Sequence, residues 1–124
     1  MEYKEFVQTV AERAGLSREE AADLTRATLE TLGERLSSGE ARHLAKHLPD
    51  PLPESLSAEG RSEQFGLHDF VVRVSRRTGL TERETTGGVR AVLTTLRETI
   101  PDDTFGHAML QLPGEFLEMV ESAT

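Results

Sequence analysis

Cysteine and tryptophan are both absent from the 124 residues, and tyrosine occurs once. Without cysteine the chain forms no disulfide, no thiolate zinc site and no cysteine nucleophile. A reducing cytoplasm is then the natural location, and the protein is expected to be cytoplasmic. The shortage of aromatics removes the stacking platforms on which proteins hold single-stranded nucleic acid. Long apolar runs are missing too. The longest, such as Phe70-Val71-Val72, span a few residues, too short for a membrane helix or a signal-peptide core. Positive charge is the minority, with 14 Lys+Arg against 22 Asp+Glu and a net charge of -8. That balance disfavours grip on phosphate backbones. What remains, at 36% hydrophobic and 29% charged, is the composition of a soluble globular chain of one domain.

What is present is one pattern written twice, at an offset of 64 residues. Phe6-Val7-x-x-Val10 falls on Phe70-Val71-x-x-Val74, and both halves run on without a gap. Arg13 meets Arg77, Gly15-Leu16 meets Gly79-Leu80, and Glu20 meets Glu84. Arg26-Ala27, Leu29, Thr31-Leu32 and Glu34 meet Arg90-Ala91, Leu93, Thr95-Leu96 and Glu98. His43 and Leu48-Pro49 meet His107 and Leu112-Pro113. Residues 1–62 carry eight basic and twelve acidic side chains, and residues 63–124 carry six and ten. Each half is therefore equally acidic, and the chain reads as an internal duplication.

Both halves parse into the same helical string. Tyr3, Phe6, Val7, Val10 and Ala14 share one face of a first helix, which Gly15 closes. Ser17-x-x-Glu20 then opens a second helix as a capping box, as Thr81-x-x-Glu84 does in the second half. Along it Ala22, Thr25, Leu29, Leu32 and Leu36 form one row, matched by Thr86, Val89, Leu93, Leu96 and Ile100. Ala21, Leu24 and Thr28 (Thr85, Gly88 and Val92 in the second half) make a second stripe, so each long helix has two neighbours to satisfy. Gly87-Gly88 weakens the helix, and a close crossing there would offset the loss. Ser37-Ser38-Gly39 and Pro101-Asp102-Asp103 break the long helices. Short third helices follow, with Ala41, Leu44, Ala45 and Leu48 or Phe105, Ala108, Met109 and Leu112 inward, and Pro49 and Pro113 stop them. The copies part after the proline. Residues 51–66 read as a linker, whereas Gly114 to Ala123 read as a terminal helix with Phe116, Leu117 and Val120 apolar. No segment alternates like a strand.

The expected fold is all-α: a helical bundle of two three-helix repeats related by a pseudo-twofold axis, plus a C-terminal helix. Repeat one spans 1–50, the linker 51–66, and repeat two with its terminal helix 67–124. All of 1–124 forms a single domain, because a half of about 50 residues buries too little to stand alone.

Few residues carry recognisable chemistry. His43 and His47 stand four apart on the third helix, and Glu40 precedes them by three, so a Glu40-His43-His47 metal trio is conceivable. The second half holds Thr104, His107 and Gln111 there, so histidines on an exposed flank are the simpler reading. Glu19-Glu20 and Asp102-Asp103 sit in first helical turns, where the macrodipole favours them, which leaves nothing for acid–base catalysis to explain. No phosphate loop or G-x-S-x-G elbow is found. No enzyme activity, metal or cofactor is implied. Arg42, His43, Lys46 and His47 form a basic stripe that the second half lacks, having Gly106, His107, Leu110 and Gln111. That asymmetry argues against paired recognition helices for nucleic acid, and marks the stripe as a candidate docking surface for an acidic protein partner. Arg26 and Arg90 occupy matched places on the long helices. They are either a pair facing an anion or structural ion pairs, Arg26 having Asp23 and Glu30 within helical reach.

Taken together, Phe6-Val7, Ala14-Gly15-Leu16, Arg26-Ala27-x-Leu29, Glu34-Arg35-Leu36, Gly39-Glu40-Ala41 and Leu48-Pro49 resemble the DUF2267 family of short, mostly bacterial proteins. The second half keeps Phe70-Val71, Gly79-Leu80, Arg90-Ala91-x-Leu93 and Leu112-Pro113. It departs with Glu98-Thr99-Ile100 and Asp103-Thr104-Phe105. The resemblance implies an all-helical tandem repeat with no established activity and no catalytic residues to carry over. The expected function is a noncatalytic protein-interaction or regulatory module. The alternative is a small-ligand binder with a pocket between the two repeats.

Overall fold

A computed structural model of the chain describes residues 1–56 and 62–122. Among them are eight helices and no strand. They are α1 (Tyr3–Ala14), α2 (Arg18–Arg35), α3 (Ser38–Ala45), α4 (Leu52–Ser55), α5 (Leu67–Thr78), α6 (Glu82–Thr99), α7 (Asp102–Leu110) and α8 (Gly114–Glu121). None of them is long and apolar enough to cross a membrane.

Local chemistry sets the ends of the long helices. Ser17 accepts from the Glu20 amide while Glu20 accepts from the Ser17 amide, and Thr81 and Glu84 make the same reciprocal pair at α6. The backbone and side-chain hydrogen bonds from Thr81 hold the Glu84 carboxyl below the ordinary carboxylate range. Gly15 and Gly79 end α1 and α5 in the left-handed conformation, at φ 68° and 79°, where a side chain would be strained.

The long helices α2 and α6 pack on each other at the centre, and each is flanked by both α1 and α5. This explains their two apolar stripes. Ala21, Leu24 and Thr28 are fully buried on α2, as are Thr85, Gly88 and Val92 on α6. The third helices α3 and α7 meet each other, α4 lies on α2, and α8 lies on α6 and α7. Buried residues of both halves join in one contiguous core, with Phe6, Phe70 and Phe116 among its largest members. The Phe70 and Phe116 rings meet edge to face at 5.2 Å.

Three local features differ from the sequence expectation. First, the break between α2 and α3 is shorter than Ser37-Ser38-Gly39. Ser37 caps α3 through the Glu40 amide, and Ser38 and Gly39 already form its first turn. Second, both third helices end before their prolines. His47 and Leu48 donate to the carbonyls of Leu44 and Ala45, three residues back, and this tighter turn closes the chain after Ala45. Third, the linker contributes a helix of its own, so the architecture is not three helices per repeat plus one. Leu52 and Leu56 are buried, Pro53 fits the first turn of α4, and Phe65 also enters the core. Residues 57–61 of that linker lie outside the described residues, as does Ala123 of the terminal segment.

The two adjacent glycines of α6 have opposite surroundings. A Cβ on Gly88 would collide with Leu24 Cδ2 and lie 2.9 Å from Cδ1, and Leu24 is itself fully buried, so it could yield only by shifting within the core. A Cβ on Gly87 would meet nothing within 4 Å. We therefore expect Gly87→Ala to raise stability by about 0.5–1 kcal/mol through helix propensity. Gly88→Ala should lower it by about 1–3 kcal/mol through overpacking. Denaturant melts of the two variants check this, and opposite signs are the expected outcome.

Candidate functional site

Arginines near the ends of α1 and α5 reach across to the long helix of the other half. Arg13 donates to Thr95 Oγ1 at 3.1 Å and to Glu98 at 2.7 Å, and Arg77 donates to Thr31 Oγ1 at 2.8 Å and to Glu34 at 2.6 Å. The hydroxyls of Thr31 and Thr95 in turn donate hydrogen bonds to the carbonyls of Ala27 and Ala91. Each threonine hydroxyl in the two clasps thus both accepts and donates a hydrogen bond.

Around the Glu34 clasp the first half is sealed by residues 63–65. Arg73 stacks on the Phe65 ring at 3.8 Å and pairs with Glu63 and Glu34. Its hydrogen bond holds the Glu63 carboxyl below the ordinary range, and the same bond raises the Arg73 pKa. The buried Arg35 donates to the Phe65 carbonyl at 2.9 Å, and the Glu63 amide donates to the Glu34 carbonyl.

Around the Glu98 clasp the second half is open. A cavity of about 570 Å³ lies between α6, the end of α1 and Ser122, and is lined by Gly87, Arg90, Thr94 and Arg97 of α6 and by Arg13 of α1. Positions 87, 90, 94 and 97 recur at helical spacing and so share a face of α6. Arg90 Nε and Thr94 Oγ1 are buried and have no hydrogen-bond partner. Such groups cost about 1–3 kcal/mol each when left unmet. Neither Arg90 nor Arg97 forms an ion pair among the described residues, and the one carboxylate lining the cavity, Glu98, is already held by Arg13.

The matched residue in the first half has a different environment. Arg26 pairs with Asp23 at 3.3 Å and Glu30 at 3.6 Å, all three partly exposed. Arg26 and Arg90 are not brought into one site. At the places of Asp23 and Glu30 the second half has Gly87 and Thr94, so Arg90 has no carboxylate on either side along its helix.

The basic stripe of the third helix is exposed. Arg42, His43 and Lys46 lie on or next to α3, and none of them has an ion pair among the described residues. His47 falls beyond the helix, contrary to the expectation that both histidines belong to it. Its ring meets that of His43 edge to face at 5.5 Å. Glu40 does not complete a metal trio with them: no group of three His, Asp or Glu placed to hold a metal occurs among the described residues. A separate apolar concavity between α7 and α8, floored by Phe105 and Met109, is rimmed by the exposed Leu110 and Leu117.

Of the residues lining this cavity the sequence marked Arg90 as a candidate; Gly87 and Arg13 stood out only as a helix weakness and a repeated position, and Thr94 and Arg97 not at all. The available signal was the pair of mismatched columns flanking Arg26 and Arg90. Attention to what the halves share hid what the second half had lost.

The fold defines an all-helical protein with an arginine-lined cavity beside its central helix pair. The chain belongs to the DUF2267 family, described as an uncharacterized conserved protein family, which matches residues 3–119. Compared with curated proteins, it finds no match.

The two matched arginines should respond oppositely to removal. Arg26→Ala deletes two exposed ion pairs and should lower stability by less than about 1 kcal/mol. Arg90→Met removes an unmet buried donor while keeping the stem packed, and should leave stability unchanged or raise it by up to about 1 kcal/mol. Thermal melts of the ligand-free variants check this. A larger loss for Arg90→Met than for Arg26→Ala would mean that Arg90 serves the fold.

Proposed function

We propose that the protein is a noncatalytic, cytoplasmic binding module of two duplicated helical units, and that the cavity beside α6 takes a small ligand. The duplication is supported by equal helices at matched positions, of 12 and 18 residues in each half, and by the two crossed arginine clasps. A pseudo-twofold axis between α2 and α6 also accounts for Leu24 against Gly88. These are matched positions that meet each other, where two leucines would collide.

One observation carries the ligand reading: a cavity of ligand size in which buried hydrogen-bonding groups are left unpartnered. Gly87 borders it with open space above its Cα, so a leucine there fills the cavity without displacing the core. Thermal-shift measurement against a panel of anionic, neutral and cationic metabolites should find a compound that raises the melting temperature by several degrees. The gain should be lost in Gly87→Leu. A panel that never distinguishes wild type from Gly87→Leu would overturn the ligand reading.

A second reading is supported by the exposed, unpaired Arg42 and Lys46, four apart with His43 and His47 beside them. On an acidic chain this stripe would steer an acidic protein partner. Reversing it with Arg42→Glu and Lys46→Glu should leave the melting temperature within a few degrees. Association with such a partner should slow at low salt, and an unchanged rate there would remove the stripe as a docking surface.

A further inference from the structure

We propose that the cavity beside α6 is an oxyanion site, in which Arg90 Nε and Thr94 Oγ1 together hold a phosphate or carboxylate group and Arg97 adds a second cation. This rests on the reading that the cavity takes a small ligand, and it names that ligand's chemistry.

The unmet groups are specific. Four other threonines of α6, Thr85, Thr86, Thr95 and Thr99, donate to the carbonyl four residues back, at 2.7 to 2.8 Å. Thr94 lines the cavity, is 8% exposed and makes no such bond, so its buried hydroxyl is left without an acceptor among the described residues. Arg90 Nε is a pure donor, and with a terminal nitrogen it presents the two-pronged edge that matches a carboxylate or phosphate. Donors four residues apart on a helix stand on one face. The cavity carries three arginines against a single carboxylate, and that carboxylate is occupied by Arg13. An acceptor that is small, rich in oxygen and negatively charged satisfies all of these at once. Thr28 Oγ1 is also unpartnered, but it is fully buried on α2, away from this cavity.

The first half supplies an internal comparison. There the same arginine is held by two of the protein's own carboxylates, Asp23 and Glu30. Their replacement by Gly87 and Thr94 leaves the cation, removes both anions, and opens space where one of them stood. The ligand takes the place that carboxylates occupy in the other half.

The test uses the full chain at low salt, titrated calorimetrically with pyrophosphate and with citrate. At least one should bind with one-to-one stoichiometry, and preference between the two separates a phosphate from a polycarboxylate source. Arg90→Met and Thr94→Val should each weaken binding at least tenfold, whereas Arg26→Met, the matched change in the first half, should leave it unchanged. Gly87→Asp with Thr94→Glu rebuilds the first half's ion pairs around Arg90, and should abolish binding while holding or raising the melting temperature. Equal affinity in wild type and Arg90→Met would overturn the proposal, as would failure of both anions to bind. If neutral or cationic compounds still stabilise wild type but not Gly87→Leu, the cavity binds ligands and only its anion chemistry is wrong. If no compound does so, the ligand reading itself falls.

Discussion

The close approach of α2 and α6 is the constraint on which the other contacts depend. Leu24 occupies the space that any side chain at position 88 would need, so at that point the side chain of one long helix rests on the bare backbone of the other. Their outer faces then lie close enough together for α1 and α5 each to touch both. Only in that arrangement do Arg13 and Arg77 reach the opposite long helix at hydrogen-bonding distance.

Much of this was legible beforehand, for identifiable reasons. Capping boxes and left-handed glycines are local signals, and Ser17, Glu20, Thr81, Glu84, Gly15 and Gly79 act where their types predict. The second stripe on each long helix announced a second neighbour, and Gly87-Gly88 announced a close crossing that Gly88 alone makes. Residues 62–66 and α4 were not legible, because a segment rich in Pro, Ser and Glu looks solvated. Its three buried anchors, Leu52, Leu56 and Phe65, are too widely spaced to show a period. The early end of α3 was hidden for a related reason. A proline marks where a helix cannot continue, but the tight turn that precedes it depends on where Leu48 must be buried.

The arginines were the least legible feature, since the same residue type does three different jobs here. Arg13 and Arg77 join the halves, Arg26 decorates a surface, and Arg90 borders a cavity with its Nε unmet. What separates them is the identity of residues three and four positions away and across the interface. For Arg26 and Arg90 the helix context is shared and the neighbours differ, so partners decide the outcome while position does not.

The docking of α1 on α6 also shapes how the chain reaches its fold. Arg13 and Thr95 are 82 positions apart, so α1 is completed by a helix made well after it. Most helical bundles gain their contacts from near neighbours and fold quickly. Here α1 emerges from the ribosome with one of its two flanking surfaces unavailable until α6 has followed it out. The apolar face of Phe6, Val7 and Val10 lacks one of the two long helices it packs beside until α6 is made. A nascent chain of this design has a window of exposure that its finished form does not reveal.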